Sequence, residues 1–202
     1  MKKRLGLYGG TFSPPHLGHI RAAEEFISEM ALDSLVIMPA NIPPHKVMAE
    51  GVCAEERLEM CHLAFDHISG ATVSDYEIKK SGVSYTYETL EHLSGEDHET
   101  FMLCGDDMLL TLDKWRNPER IFELAHIACA RRYETDVAPL LEKKREYEEK
   151  YGARVTILDS AAYPVSSTEV RESILSGEAD SRIPTAVFEY IQKKGLYKEA
   201  TK

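Results

Sequence analysis

Short apolar runs that end on glycine or proline alternate along this chain with stretches of helical period, and this alternation narrows the possible folds most. Residues 5–8, 35–38, 101–104, 126–130 and 155–158 read as buried strands, and residues 71–74 as a short one. Between them, apolar residues recur at Leu17, Ile20, Ala23, Ile27 and Met30, a helical spacing. Further helices are expected over 55–65, 85–93, 118–124, 137–151, 167–175 and 185–193, the last stopped by Gly195. Strands separated by helices imply parallel pairing through crossovers. The expected fold is α/β: a Rossmann-like, doubly wound, mainly parallel sheet with helices on both faces. Residues 165–202 form a small C-terminal helical portion of a single domain spanning 1–202. In such sheets ligands bind beyond the carboxyl ends of the strands. The loops after Tyr8, Met38, Cys104 and Leu158 are therefore where chemistry is sought.

Composition excludes several classes. A length of 202 residues with 43% hydrophobic content supports a sizeable core without disulfide staples. A formal charge of −10 disfavours general DNA or RNA binding, which needs Lys and Arg against phosphates. A small anionic ligand needs only a local cluster of donors. Cys53, Cys61, Cys104 and Cys129 show no C-x-x-C or zinc-finger spacing and read as free core thiols in a reducing compartment. No apolar run approaches a membrane span. The basic start, Met1-Lys2-Lys3-Arg4, leads straight into the first strand and does not read as a signal peptide, so the cytoplasm is expected.

Two loops carry most of the chemistry. The first reads Gly9-Gly10-Thr11-Phe12-Ser13-Pro14-Pro15-His16-Leu17-Gly18-His19 and joins a strand to a helix. The glycine pair lets backbone N–H groups approach an anion. His16 and His19 fall on one side of the helix start, and Gly18 between them blocks nothing. Imidazoles there suit charge stabilisation in phosphoryl transfer. The bland alternative is a turn-capping His16 and a surface-packed His19. The last loop reads Val165-Ser166-Ser167-Thr168-Glu169-Val170-Arg171. Ser166 with Glu169 fits a capping box, so a helix begins there with a positive dipole end. Thr168 adds a hydroxyl and Arg171 a planar fork for phosphate oxygens. Alone, this segment also fits an ordinary capped helix with an exposed arginine.

The first loop resembles the H-x-G-H signature of the nucleotidyltransferase superfamily, and the longer string resembles bacterial nicotinate-nucleotide adenylyltransferases. Val165 to Arg171 is similar to the S-S-T-x-x-R motif of the same family. The resemblance implies ATP binding by Gly9, Gly10, Thr11, Phe12, His16, His19, Ser166, Ser167, Thr168 and Arg171, with His16, His19 and Arg171 catalytic. Four further segments match. The string from Met38 to Lys46 resembles the family's loop that brings a lysine, here Lys46, to a substrate phosphate. Ser84-Tyr85-Thr86 resembles the segment that offers a backbone N–H to the pyridine carboxylate. Gly105-Asp106-Asp107 resembles a G-x-D that puts Asp107 on ribose hydroxyls. Trp115 matches the aromatic that stacks on the pyridine ring. Arg132 falls where the family has an arginine near the nicotinate site, with Arg131 beside it as the alternative.

The implied reaction joins nicotinate mononucleotide to the AMP part of ATP, releasing pyrophosphate, with Mg2+ carried on ATP and no dedicated protein ligands for it. Substrate partners are ATP and the mononucleotide, with neither nucleic acid nor membrane; homo-oligomer formation is left open. Three departures stand out: Ser13 where aspartate is frequent, Arg116-Asn117-Pro118 after Trp115, and Arg131-Arg132-Tyr133 in place of an Arg-Pro-Gly string. Rival readings keep the fold and change the acceptor to nicotinamide mononucleotide or pantetheine phosphate, or make the chain a non-catalytic nucleotide sensor.

Overall fold

The computed structural model describes residues 2–44, 52–131, 136–159, 164–176 and 181–197. In chain order the elements are β1 (Lys3–Gly10), α1 (Leu17–Glu29), β2 (Ser34–Pro39), α2 (Ala54–Phe65), β3 (Ala71–Val73), α3 (Tyr76–Lys80), α4 (Thr86–Leu93) and β4 (His98–Gly105). Then follow α5 (Asp106–Leu109), a 3-10 turn (Leu112–Lys114), α6 (Pro118–Leu124), β5 (His126–Ala130), α7 (Ala138–Tyr151), β6 (Val155–Ile157), α8 (Ser167–Ser176) and α9 (Thr185–Lys194).

The strands form one sheet in the order β3-β2-β1-β4-β5-β6, and every pairing is parallel. The chain winds outward from β1 to β3, then returns to the other side of β1 to lay down β4. The topological switch point therefore lies between β1 and β4, where the crossovers leave in opposite directions and open a crevice.

Alternation along the central strands explains the two cores. Leu35, Ile37, Phe101 and Leu103 point into one cluster with Ile20, Phe26, Met60 and Phe65. Met38, Met102 and Cys104 point into the other with Leu109, Ile121 and Tyr147. Strands buried on both faces carry apolar residues continuously, which is why their sequences show short unbroken runs. Helices α1, α2, α8 and α9 cover the first face, and α5, α6 and α7 the second. Val170, Ile174, Val187 and Ile191 share the cluster of Phe12 and Phe26, so the C-terminal helices pack on the same core as the first loop.

Several expectations are refined. β1 continues through the glycine pair, because Gly9 and Gly10 pair with Met38 and Pro39. β4 begins at His98 and not at Phe101. The short helices α3 and α5 were not anticipated. Cys61, Cys104 and Cys129 are buried free thiols, whereas Cys53 is exposed at the N-cap of α2, correcting its assignment to the core. Helix α7 is mostly a charged outer face, but Tyr147 is fully buried and its hydroxyl donates to the Leu109 carbonyl at 2.8 Å. No described helix is long and apolar enough to cross a membrane.

Candidate active site at the switch point

At the carboxyl ends of β1 and β4 a cleft opens with two lobes of about 490 and 500 Å3. The lobes share Gly9, Gly10, Thr11, Leu103 and Met108 as a common wall. Glycine suits that wall for two reasons. A methyl group on Gly9 would meet no protein atom within 4 Å and would project into the open space. One on Gly10 would lie 2.9 Å from Phe12 Cζ, because the Phe12 ring packs beneath the turn. Phe12 itself adopts a left-handed backbone, φ 49°, with its ring buried between Tyr8, His19 and Phe65. Its contribution to the cleft is the shape of the loop.

The first lobe gathers every residue expected to contact ATP: Gly9, Gly10, Thr11 and Phe12, the His16 and His19 pair, and Ser166, Ser167, Thr168 and Arg171. His16 is the N-cap of α1, and its imidazole stacks on that of His19 with centroids 3.7 Å apart. The His16 backbone N–H donates to His19 Nδ1 at 3.2 Å. A neutral ring that accepts at Nδ1 carries its proton on Nε2, so His19 keeps a donor on its far side. His16 thus holds the N-cap position and orients its partner through its backbone.

The last loop reaches the first through two bonds, from Arg171 and Ser167, and a third steadies Arg171 within its own helix. Arg171 Nη1 donates to the Ser13 carbonyl at 2.7 Å, and Arg171 Nη2 to Thr168 Oγ1 at 3.1 Å. The Ser167 hydroxyl donates to the Pro14 carbonyl at 3.0 Å. The capping box forms as expected: Ser166 N–H donates to Glu169 Oε2 at 2.9 Å, and Glu169 N–H to Ser166 Oγ at 3.2 Å. The Ser166 hydroxyl and N–H hold the Glu169 carboxyl below its ordinary range. Ser13, where aspartate was expected by resemblance, shares a buried 3.0 Å hydrogen bond with the Tyr197 hydroxyl.

The second lobe is less polar. Thr86 at the start of α4, Asp107 in the first turn of α5, and Trp115 just after the 3-10 turn line it, with Leu7, Ala40, Pro43 and Pro44. The 3-10 turn that carries Trp115 is held from α7: the Asp113 N–H donates to the Tyr147 hydroxyl oxygen at 3.3 Å, and Lys143 pairs with Asp113 Oδ2 at 3.3 Å. Asn117 takes a left-handed conformation, φ 53°, and Pro118 opens α6, so the unusual Arg116-Asn117-Pro118 string is a helix start. Lys46 and Arg132 lie outside the described residues. Arg131 lines the first lobe, beside His19 and Arg171.

A family model described as cytidylyltransferase-like matches residues 7–173. A protein of Clostridium botulinum (strain Alaska E43 / Type E3) named "Probable nicotinate-nucleotide adenylyltransferase" is 37% identical over 198 residues, covering 98% of this chain and 99% of its own. One of the same name from Desulfatibacillum aliphaticivorans is 35% identical over 214 residues, covering 96% and 99%. This chain belongs to the nicotinate-nucleotide adenylyltransferase family. A solved structure, the Plasmodium falciparum nicotinic acid mononucleotide adenylyltransferase complexed with NaAD, superposes with a TM-score of 0.75 at 17% identity. It covers 96% of this chain and 97% of its own. That likeness shows the shared fold.

Sequence reasoning missed three features of this adenylyltransferase site. Arg21 and Glu25 line the first lobe one and two turns beyond Leu17, a helical spacing from Gly18 that was available to read. Glu77, Ser84 and Thr89 line the second lobe, with the Thr89 hydroxyl donating to Glu77 Oε1 at 2.5 Å. Burial pushes the Glu77 carboxyl above its ordinary range, against the pull of those hydroxyl donors. Arg57 is wholly buried behind the cleft. Helix-forming neighbours Glu55 and Glu56 make it look like a solvated charge.

Proposed function

We propose that this adenylyltransferase family member joins nicotinate mononucleotide to the adenylyl group of ATP, giving nicotinate adenine dinucleotide (deamido-NAD) and pyrophosphate, a step of NAD biosynthesis in the cytoplasm. The observation that carries the reading is the shared wall: a triphosphate in the first lobe and a mononucleotide in the second meet at Gly9, Gly10 and Thr11.

The mononucleotide phosphate is ionised at neutral pH and needs no strong base. Its oxygen attacks the α-phosphorus of ATP in line, forming the new P–O bond as the bond to the pyrophosphate oxygen breaks. The protein supplies position and charge stabilisation. His19 Nε2–H donates to the reacting phosphate, and His16 fixes that tautomer through its backbone. Arg171, already tied to the Ser13 carbonyl, offers the rest of its fork to the β and γ phosphates with Ser166 and Thr168. Lys46 meets the incoming phosphate, Asp107 holds the ribose, and Trp115 stacks on the pyridine ring. The first turn of α4 at Thr86 presents backbone N–H groups to the nicotinate carboxylate. Arg132 completes that end. Mg2+ accompanies ATP and supplies charge neutralisation on the departing pyrophosphate. The donor-rich wall of the first lobe suits a magnesium ion that would be held by phosphate oxygens and water.

Pyrophosphate release tests the reading, with ATP and, in turn, nicotinate mononucleotide, nicotinamide mononucleotide and pantetheine phosphate. The nicotinate form reacts fastest. Equal rates with the amide remove the stated preference, and ATP binding without release from any acceptor supports a sensor instead.

A further inference from the structure

Arg57 is the largest of the wholly buried side chains, yet it lines neither lobe. It lies on the second turn of α2 and spans two loops. Nη1 donates to the Thr11 carbonyl at 2.8 Å, and Nη2 to the Asn41 carbonyl at 2.9 Å. Its Nε is buried and has no hydrogen-bond partner among the described residues. A guanidinium placed for stability alone would have its donors satisfied, since each orphan costs free energy. Local rules of this kind are broken where function demands it.

The two carbonyls belong to opposite sides of the reaction. Thr11 is part of the wall shared by both lobes. Asn41 belongs to the loop after β2 that leads to Pro43 and Pro44 of the second lobe. Asn41 is held again from that side: its N–H donates to Ser84 Oγ at 2.9 Å, and Nδ2 to the Gly82 carbonyl at 2.9 Å. The Ser84 and Thr89 hydroxyls both bond to Glu77. A chain of polar contacts thus runs from Thr89 and Glu77 through Ser84, Asn41 and Arg57 to Thr11, buried at Thr89, Glu77, Ser84 and Arg57 and half-buried at Asn41 and Thr11.

We propose that Arg57 is a positioning residue for adenylyl transfer, its planar fork fixing the separation between the ATP loop at Thr11 and the acceptor loop at Asn41. The proposal rests on the function given above. It predicts a loss in turnover and not in the affinity of either substrate alone, because Arg57 lines neither lobe.

Arg57→Lys is the main test. A lysine keeps the charge and fills much of the space, but one ammonium cannot reproduce two parallel bonds. The variant folds, and binds the α,β-methylene analogue of ATP and nicotinate mononucleotide separately within about threefold of the parent. Its kcat falls on the order of 10²-fold, as misplacement of reacting groups by about 1 Å costs. Amide exchange quickens at both Thr11–Phe12 and Asn41–Ile42. Arg57→Met removes both bonds and gives a larger fall; if it fails to fold, the lysine variant still decides. A kcat within about threefold of the parent overturns the proposal, as does a loss confined to KM. Unchanged exchange in either segment overturns it whatever the turnover. If the parent protein releases no pyrophosphate, the functional reading fails, and the exchange comparison still judges whether Arg57 holds the two loops.

Discussion

His19 stands at the chemical centre of the account, and its orientation is set by one bond. With Nδ1 accepting from the His16 backbone, the neutral ring carries its proton on Nε2, and His19 lines the first lobe. Replacing His19 by Ala removes that donor at a half-buried position, at the cost of one edge contact to the Phe12 ring. Turnover falls by on the order of 10² to 10³-fold, while far-UV circular dichroism and thermal midpoint change little. Steady-state pyrophosphate release checks it. Gly9 offers a complementary test. Its added methyl group meets nothing in the ligand-free protein. Gly9→Ala therefore leaves stability nearly unchanged but raises KM for both substrates, because the methyl group intrudes on the wall their phosphates share; unaltered KM values would show that the wall is not used. Residues such as His16, His19 and Arg171 were legible because their roles are written in short strings with glycine and serine spacing. Arg57 and Glu77 were not. A buried charge looks like a surface charge in sequence unless its neighbours are read as a face: Arg57, Met60, Cys61 and Ala64 recur at helical spacing and are all buried.

At the level of elements, the N-terminus of α8 matters most. Ser167 and Arg171 bond it to the first loop, Val170 shares the core cluster of Phe12, and its own geometry depends on the Ser166–Glu169 box. Loss of an N-cap hydroxyl costs roughly 0.5–2 kcal/mol. Ser166→Ala thus lowers the denaturation midpoint modestly and raises KM for ATP more than for the mononucleotide. Equal effects on both would contradict the division of the cleft into two lobes. Strand β5 and the edge strand β6 carry a pH dependence. His126 stacks on Phe101 and bonds Thr156 Oγ1 at 2.9 Å, and burial lowers its pKa from the ordinary 6.5. A histidine whose folded pKa is depressed binds protons better when unfolded, so the stability it lends is present above 6.5 and is lost as pH falls through the folded value. His126→Gln flattens this part of the pH–stability curve, as urea melts between pH 7 and 5 will show. Long strands and helices with clear periods were legible to within a few residues. The short α3 and α5 were not, since five and four residues hold too little of a helical period to register. The extension of β1 through Gly9 and Gly10 was hidden for another reason: its partners, Met38 and Pro39, come from a distant segment.

For the molecule as a whole, the doubly wound order follows from two apolar faces on strands too short for anything but a covered sheet. The switch point between β1 and β4 then fixes where a ligand can enter, and the two lobes follow from it. An overall charge of −10 is compatible with anionic substrates because the first lobe concentrates Arg21, Arg131, Arg171 and the histidine pair. Parallel pairing was implicit in the alternation of elements, whereas the strand order and the tie from the last loop to the first required coordinates, since Ser13 and Arg171 are 158 residues apart. The most direct test of the central claim is a single-turnover reaction with excess enzyme, nicotinate mononucleotide, Mg2+ and ATP labelled at the α-phosphorus. The account predicts that the label passes into the dinucleotide and none into pyrophosphate. Label remaining wholly in ATP, or leaving as free AMP while the mononucleotide stays unchanged, would contradict it.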